Sequence, residues 1–150
     1  DYQLQHLLLM EMNFLLDTCV ISEIVRQKPS KKVAQWIKNA NENNLFISVL
    51  TIGEIYKGIE KLPESKKKED LYNWVENDLK ERFWNRIIGI DIKVSMMWGK
   101  IQGTTERAGR PMPAIDALIA ATGITHHLTL VTRNISDMKD SGVMLLNPWE

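Results

Sequence analysis

The 150-residue sequence predicts an α/β fold in three layers, with a central parallel sheet of about five strands flanked by helices and a helical hairpin after strand two. Two observations carry this. From Asn13 onward, short apolar runs alternate with stretches of helical periodicity, the pattern of repeated strand and helix units. Asp17, Glu54 and Asp116 each lie where an apolar stretch gives way to a helix. In an open parallel sheet the functional crevice lies beyond the carboxyl ends of the strands, so residues distant in sequence converge there.

Strand one is predicted at residues 13–16, which contain Phe14-Leu15-Leu16. Helical segments follow at 20–26 and, after Pro29, at 31–40, where Val33, Trp36, Ile37 and Ala40 keep helical spacing. Strand two spans 45–49. A helix over 51–61 and a second one after Pro63, whose Leu71, Val75, Leu79 and Phe83 form one stripe, make the hairpin. Strand three is placed at 87–90, with Asp91 as the N-cap of a helix over 92–108 that turns Val94, Trp98 and Ile101 inward. A loop at 109–113 leads to a helix carrying Asp116 in its first turn. After Gly123 come strand four at 128–132, a connection at 134–142 and a short fifth strand at 143–146.

A hydrophobic content of 44% gives the chain enough apolar material for one domain with a proper core, expected over residues 12–150. The 19 Lys plus Arg balance 19 Asp plus Glu, so local charge must decide whether a polyanion binds. Cys19, the single cysteine, cannot form an internal disulfide or a paired zinc site, which fits a reducing, cytoplasmic setting. No apolar run approaches the roughly 18 residues that span a bilayer. The first twelve residues lack the basic start and small-residue cleavage site of a signal peptide. Met10 and Met12 directly precede strand one, so residues 1–11 read as an accessory extension, with the natural start expected at one of these methionines.

Two carboxylates about 4 Å apart repel by roughly 4 kcal/mol at an effective dielectric of about 20, so a cluster of them needs a cation or protons. Oxygen ligands without paired Cys or His favour Mg²⁺ or Mn²⁺ over zinc. Each acid also has a plainer reading. Asp17 caps the helix that follows it, Thr51-Ile52-Gly53-Glu54 reads as a capping box, and Asp116 complements a helix dipole. Gly53 and Gly58 inside a helix argue that backbone or substrate approaches closely there.

Four segments occur in order: Leu15-Leu16-Asp17-Thr18, Thr51-Ile52-Gly53-Glu54 with Gly58, Ile115-Asp116-Ala117-Leu118-Ile119-Ala120-Ala121-Thr122, and Leu130-Val131-Thr132-Arg133-Asn134. Together they resemble the PIN-domain ribonucleases, with the VapC-type toxins as the nearest group. The closing Asn147-Pro148-Trp149 is similar to the branch that contains the FitB-type proteins. The resemblance runs from Met12 to Trp149. It implies a PIN-like fold and a Mg²⁺-dependent endoribonuclease that cuts tRNA, rRNA or mRNA, leaving a 5′-phosphate and a 3′-hydroxyl. Asp17, Glu54 and Asp116 would hold the metal. The resemblance further implies the toxin of a type II toxin–antitoxin module, whose antitoxin inserts a peptide, with an Arg, near the acidic pocket. A homodimer is expected, because a neutral protein with an acidic pocket holds RNA weakly as a monomer.

Two positions depart from the family pattern. Many members carry Asp in the place of Asn134, whereas others have Asn there and an acid three positions on, here Asp137. Asp137 is therefore read as completing the catalytic set, with Asn134 ligating through its amide oxygen or positioning it. Cys19 stands where the family usually has Asn, and a thiol orients carboxylates poorly. No base is placed to activate it as a nucleophile. Thr18 and Thr132 are candidates to hydrogen-bond the carboxylates or a phosphate. Arg110 is the first choice for a phosphate contact, with Arg133 and Lys57. The run Lys66-Lys67-Lys68 reads as a solvated helix start that, with Lys61 and Arg107, would edge the pocket with positive charge. His126 and His127 fall at the wrong end of the Asp116 helix for a base, and the tryptophans read as core or interface residues. A second reading stays open: a catalytically weakened PIN-fold module that binds nucleic acid or antitoxin. A phosphoacceptor domain is disfavoured because Asp17 has no acidic pair beside it.

Overall fold

A computed structural model of the chain describes residues 2–4 and 12–150. Its strands are β1 (Phe14–Leu16), β2 (Leu45–Ser48), β3 (Ile87–Ile88), β4 (Thr129–Val131) and β5 (Leu145–Leu146). All pair in parallel, in the order β3-β2-β1-β4-β5. The fold class is as the sequence predicts. Every residue of β1 is buried, because helices cover both faces of a parallel sheet. Alternation along the strands sorts the side chains into two apolar layers. Phe14, Leu16 and Val131 join Val20, Ile21, Ile55 and Val75 on one face, and Leu15 and Leu130 join Val94, Ala117 and Ala120 on the other.

Helices α1 (Thr18–Ile24), α2 (Lys31–Asn39), α3 (Val49–Glu60) and α4 (Lys66–Asn73) build the first layer. After α4 the chain passes through a π-helical stretch (Trp74–Leu79) into α5 (Lys80–Arg82). This explains the predicted stripe. Leu71, Val75, Leu79 and Phe83 recur every fourth residue, which runs ahead of a 3.6-residue turn, and the wider π turn absorbs the drift so that Val75, Leu79 and Phe83 all stay buried. The second layer contains α6 (Ile92–Arg107) and α7 (Ala114–Thr125). Asp91 caps α6 as expected, accepting the Val94 N–H at 2.9 Å.

Several boundaries differ from the sequence reading for local reasons. Because Ser48 Oγ accepts the Leu50 N–H at 3.0 Å, α3 starts at Val49, two residues early. The predicted connection at 134–142 contains a short helix, α8 (Ile135–Met138), and a 3₁₀ turn (Lys139–Ser141). Lys68 is not solvated. Its ammonium is buried at the hairpin corner, donating to the carbonyls of Glu60 (3.3 Å) and Leu62 (3.1 Å) that end α3 and to Glu64 Oε1 (2.9 Å). Trp36 packs edge-on against Phe14, with ring centroids 5.0 Å apart, whereas Trp84 stands 81% exposed. The reading of residues 1–11 as an extension falls mostly outside the described residues. Among the described residues no helix is long and apolar enough to cross a membrane.

Gly123 marks the tightest approach in the second layer. A Cβ there would lie 2.9 Å from Val143 Cγ2 and 3.4 Å from the Leu128 carbonyl oxygen, and buried, β-branched Val143 has little freedom to move. Replacing Gly by Ala in a helix interior ordinarily stabilises by about 0.5–1 kcal/mol. Gly123→Ala is expected instead to cost about 1–2 kcal/mol in urea unfolding, and to stabilise once Val143→Ala has opened the space. A single variant more stable than the parent would mean that this contact is loose.

Candidate active site

The sheet order reverses at β1, with β2 and β3 on one side and β4 and β5 on the other, and such a switch point opens a crevice at the strands' carboxyl ends. Asp17, the first residue past β1, donates its N–H to the Val131 carbonyl of β4 at 3.0 Å. Its side chain is only 5% exposed. Oδ1 caps α1 by accepting the Thr18 N–H at 2.8 Å, and Oδ2 accepts the Thr132 hydroxyl at 2.8 Å. The helix-cap reading is thus correct but uses one oxygen. Thr132 is the junction of the crevice, because its Oγ1 also accepts the Asn134 N–H at 3.0 Å. Burial pushes the Asp17 carboxyl above the usual carboxylate range. The bonds from Thr132 and Thr18 pull it back, and the charge of Glu54 raises it again. Cys19 Sγ lies 3.6 Å from Thr132 Oγ1 and 3.9 Å from Asp17 Oδ2. Burial pushes its thiol up, the Arg133 backbone pulls it back in part and the charge of Asp17 raises it again, a setting that disfavours the nucleophilic thiolate.

Glu54 does not serve a capping box. With α3 starting at Val49, Glu54 lies in the second turn and its Oε1 accepts the Thr18 hydroxyl at 2.6 Å. Buried Thr51 braces the same hydroxyl, its Oγ1 accepting from Thr18 Oγ1 at 3.2 Å. Sequence reading treated Thr51 as a cap and missed this brace; the available signal was a hydroxyl on the buried side of an otherwise apolar turn. A Cβ at Gly53 or Gly58 would meet nothing within 4 Å, so among the described residues no backbone approaches there.

Asp116, half-buried in the first turn of α7, is raised by burial and then by the charges of Asp17, Asp137 and Glu54. Three carboxylates from other parts of the chain therefore act on Asp116. Asp137 lies on α8 and is exposed, while Asn134 heads that helix without a side-chain capping bond. Of the candidate RNA contacts, Arg110 pairs with Asp140 at 3.5 Å, and the Arg133 guanidinium lies 5.2 Å over the Trp149 ring. Lys57 is exposed one turn beyond Glu54. His126 and His127 are exposed past the carboxyl end of α7, away from Asp116.

Among the described residues no three His, Cys, Asp or Glu side chains are set closely enough to form a ready metal clasp. The donor chemistry still fits a hard divalent cation. The groups that face one another are carboxylates, and Asp17 and Asp116 are both raised by burial and shared negative charge, a condition that a cation reverses.

The PIN domain family matches over residues 14–139, which takes in all four carboxylates. The chain belongs to the PIN domain family. This PIN domain is 33% identical over 135 residues to the Toxin FitB of Neisseria gonorrhoeae, covering 90% of this chain and 97% of that one. It is 32% identical to the plasmid stability protein StbB of Pseudomonas syringae pv. tomato, covering 91% and 98%. Against the VapC ribonuclease Y4jK of Sinorhizobium fredii the identity is 28%, covering 91% and 97%. The crystal structure of FitAcB from Neisseria gonorrhoeae superposes on this PIN domain with a TM-score of 0.86 at 32% identity, covering 91% of this chain and 99% of that one.

A carboxyl raised in the folded state binds its proton more tightly there than in the unfolded chain. Its ionisation therefore lowers stability above the folded value, and the loss vanishes below the ordinary carboxylate range. Asp116→Asn removes that charge and, among the described residues, breaks no hydrogen bond to the carboxylate. In EDTA it is expected to melt higher than wild type at about pH 8 and to lose that advantage towards about pH 4. A variant that melts at or below wild type at the higher pH would put Asp116 outside the shared field.

Proposed function

We propose that this PIN domain is an endoribonuclease that hydrolyses RNA phosphodiester bonds with Mg²⁺ or Mn²⁺, and that it acts in the cytoplasm as the toxin of a type II toxin–antitoxin module. One observation carries the reading: a buried carboxylate, Asp17, fixed by Thr18 and Thr132 at the switch point, shares its field with Asp116 and Glu54. The names of the related proteins, a toxin and a ribonuclease, support the reaction class.

In this reading Asp17, Glu54 and Asp116 hold the cation, with Asp137 and the Asn134 amide oxygen completing the set. A divalent ion bound there supplies Lewis acidity, making water a better nucleophile and offsetting charge on the phosphate oxygens. The chain's own residues do the positioning. Thr132 and the Thr18 N–H fix the two oxygens of Asp17, and the Thr18 hydroxyl, braced by Thr51, fixes Glu54. Without the cation, the carboxylates repel an incoming phosphate.

A homodimer would set two such crevices along one groove. An apolar cavity of about 230 Å³ opens beside Thr18 and Glu54, walled by Ile55, Ile59, Leu71 and Trp74. It suits the antitoxin peptide, with a cation of that peptide reaching Glu54. The second reading, a binding module with weakened turnover, is favoured by Cys19, whose thiol touches Asp17 and Thr132 only at long distance.

The deciding experiment incubates a mixed tRNA and rRNA pool with purified protein in Mg²⁺, in EDTA, and with Asp17→Asn in parallel. Cutting is expected only for wild type with metal. Equal cutting by Asp17→Asn rejects the site, whereas metal binding without cutting supports the binding module. Thr132→Val should lower activity about 10–100-fold by freeing Asp17 Oδ2. Mg²⁺ titration of Asp137→Ala tests the fourth acid: weaker affinity is expected, and unchanged affinity removes Asp137 from the ligand set.

A further inference from the structure

We infer that Lys93, Lys100 and Arg107, one flank of α6, form a track that holds the phosphodiester backbone of the RNA as it leaves the acidic crevice, an inference that rests on the ribonuclease reading. The three lie seven residues apart, and because a seven-residue step drifts only about 20° on an α-helix they stay on one flank. All three are exposed. Successive charges stand roughly 10 Å apart along the axis, at 1.5 Å per residue.

Their neighbours leave these charges free. Lys66 has Asp70, and Lys80 has Glu76, as a carboxylate partner one turn away. Around Lys93, Lys100 and Arg107 the positions three and four residues to either side are Gly, Ile, Met, Thr, Arg and Pro, with no acid among them. Among the described residues none of the three forms an ion pair with a carboxylate. The acids of the helix point elsewhere: Asp91 is occupied as its cap, and Glu106 is a neighbour of Arg107 about 100° around the axis.

The track passes beside the helix that carries Asp116. Gln102 Nε2 donates to the Met112 carbonyl at 2.9 Å and the Arg110 N–H to the Thr105 carbonyl at 2.9 Å, folding the loop back along α6. The start of α7 is thus drawn level with Gln102, so Lys100 is the cation nearest to it, and Arg107 and Lys93 extend the line to either side. The partner that suits a line of unpaired, evenly stepped cations is a polyphosphate backbone, which binds by releasing its counterions. Placing them outside the crevice also spares them from neutralisation by Asp17, Glu54 and Asp116.

The test is fluorescence anisotropy of a labelled single-stranded RNA across a KCl series in Mg²⁺, with both proteins carrying Asp116→Asn so that nothing is cut. Introducing Lys93→Gln, Lys100→Gln and Arg107→Gln together is expected to weaken binding about tenfold or more at 0.1 M salt. The slope of log K against log salt should become shallower by about 2, since each phosphate that a cation neutralises contributes about 0.7 to it. Unchanged affinity and slope, with an unchanged melting temperature, overturn the track. So does a weakened variant whose slope is unaltered, or one whose oligomeric mass falls, because either outcome assigns the flank to a protein interface. Cleavage by the protein with Asp116 intact, measured in parallel, reports separately on the ribonuclease reading.

Discussion

Asp17 must carry its negative charge at the end of the central strand, in the interior of the protein, and the surrounding architecture follows from that demand. A buried carboxylate is tolerated only when its oxygens are hydrogen-bonded. Two elements supply the donors: the first N–H of α1 and the hydroxyl just past β4. The second depends on the parallel pairing of β1 with β4, where Leu16 lies opposite Val131. If that register slipped, Thr132 would leave Oδ2 and the buried charge would lose half of its support.

Charge is arranged around this point with opposite signs kept apart. The chain is neutral overall, yet Asp17, Asp137 and Glu54 all raise Asp116 at the crevice. Arg110 and Arg133 near its rim are engaged by Asp140 and the Trp149 ring. The crevice is therefore left electron-rich and under-compensated, the condition in which a divalent cation binds through oxygen.

Much of this was legible in residue order. Parallel strands force residues just beyond β1 and at the starts of α3 and α7 to one edge, so Asp17, Glu54 and Asp116 could be grouped from three separate apolar runs. The parallel direction of the strands follows from the same alternation, whereas their lateral order in the sheet does not. What stayed hidden depended on exact helix starts and on side-chain reach. Moving the start of α3 from Thr51 to Val49 turned Thr51 from a cap into a brace and released Glu54. Lys68 looked like one of three solvated lysines because sequence does not show that the hairpin folds its corner carbonyls onto that ammonium. The short α8 escaped notice because four residues carry too little periodicity to register.

The placement of β4 beside β1 governs the order of events during synthesis. Leu15 waits for Leu130 as its sheet partner, and Asp17 waits for Thr132. At about 5–20 residues per second, the ribosome makes the first strand seconds before the one that completes its socket. A nascent chain therefore carries Asp17 without the pocket that orients it. The arrangement around Asp17 arises only once β4 and Thr132 have emerged, 115 residues after the carboxylate that they hold.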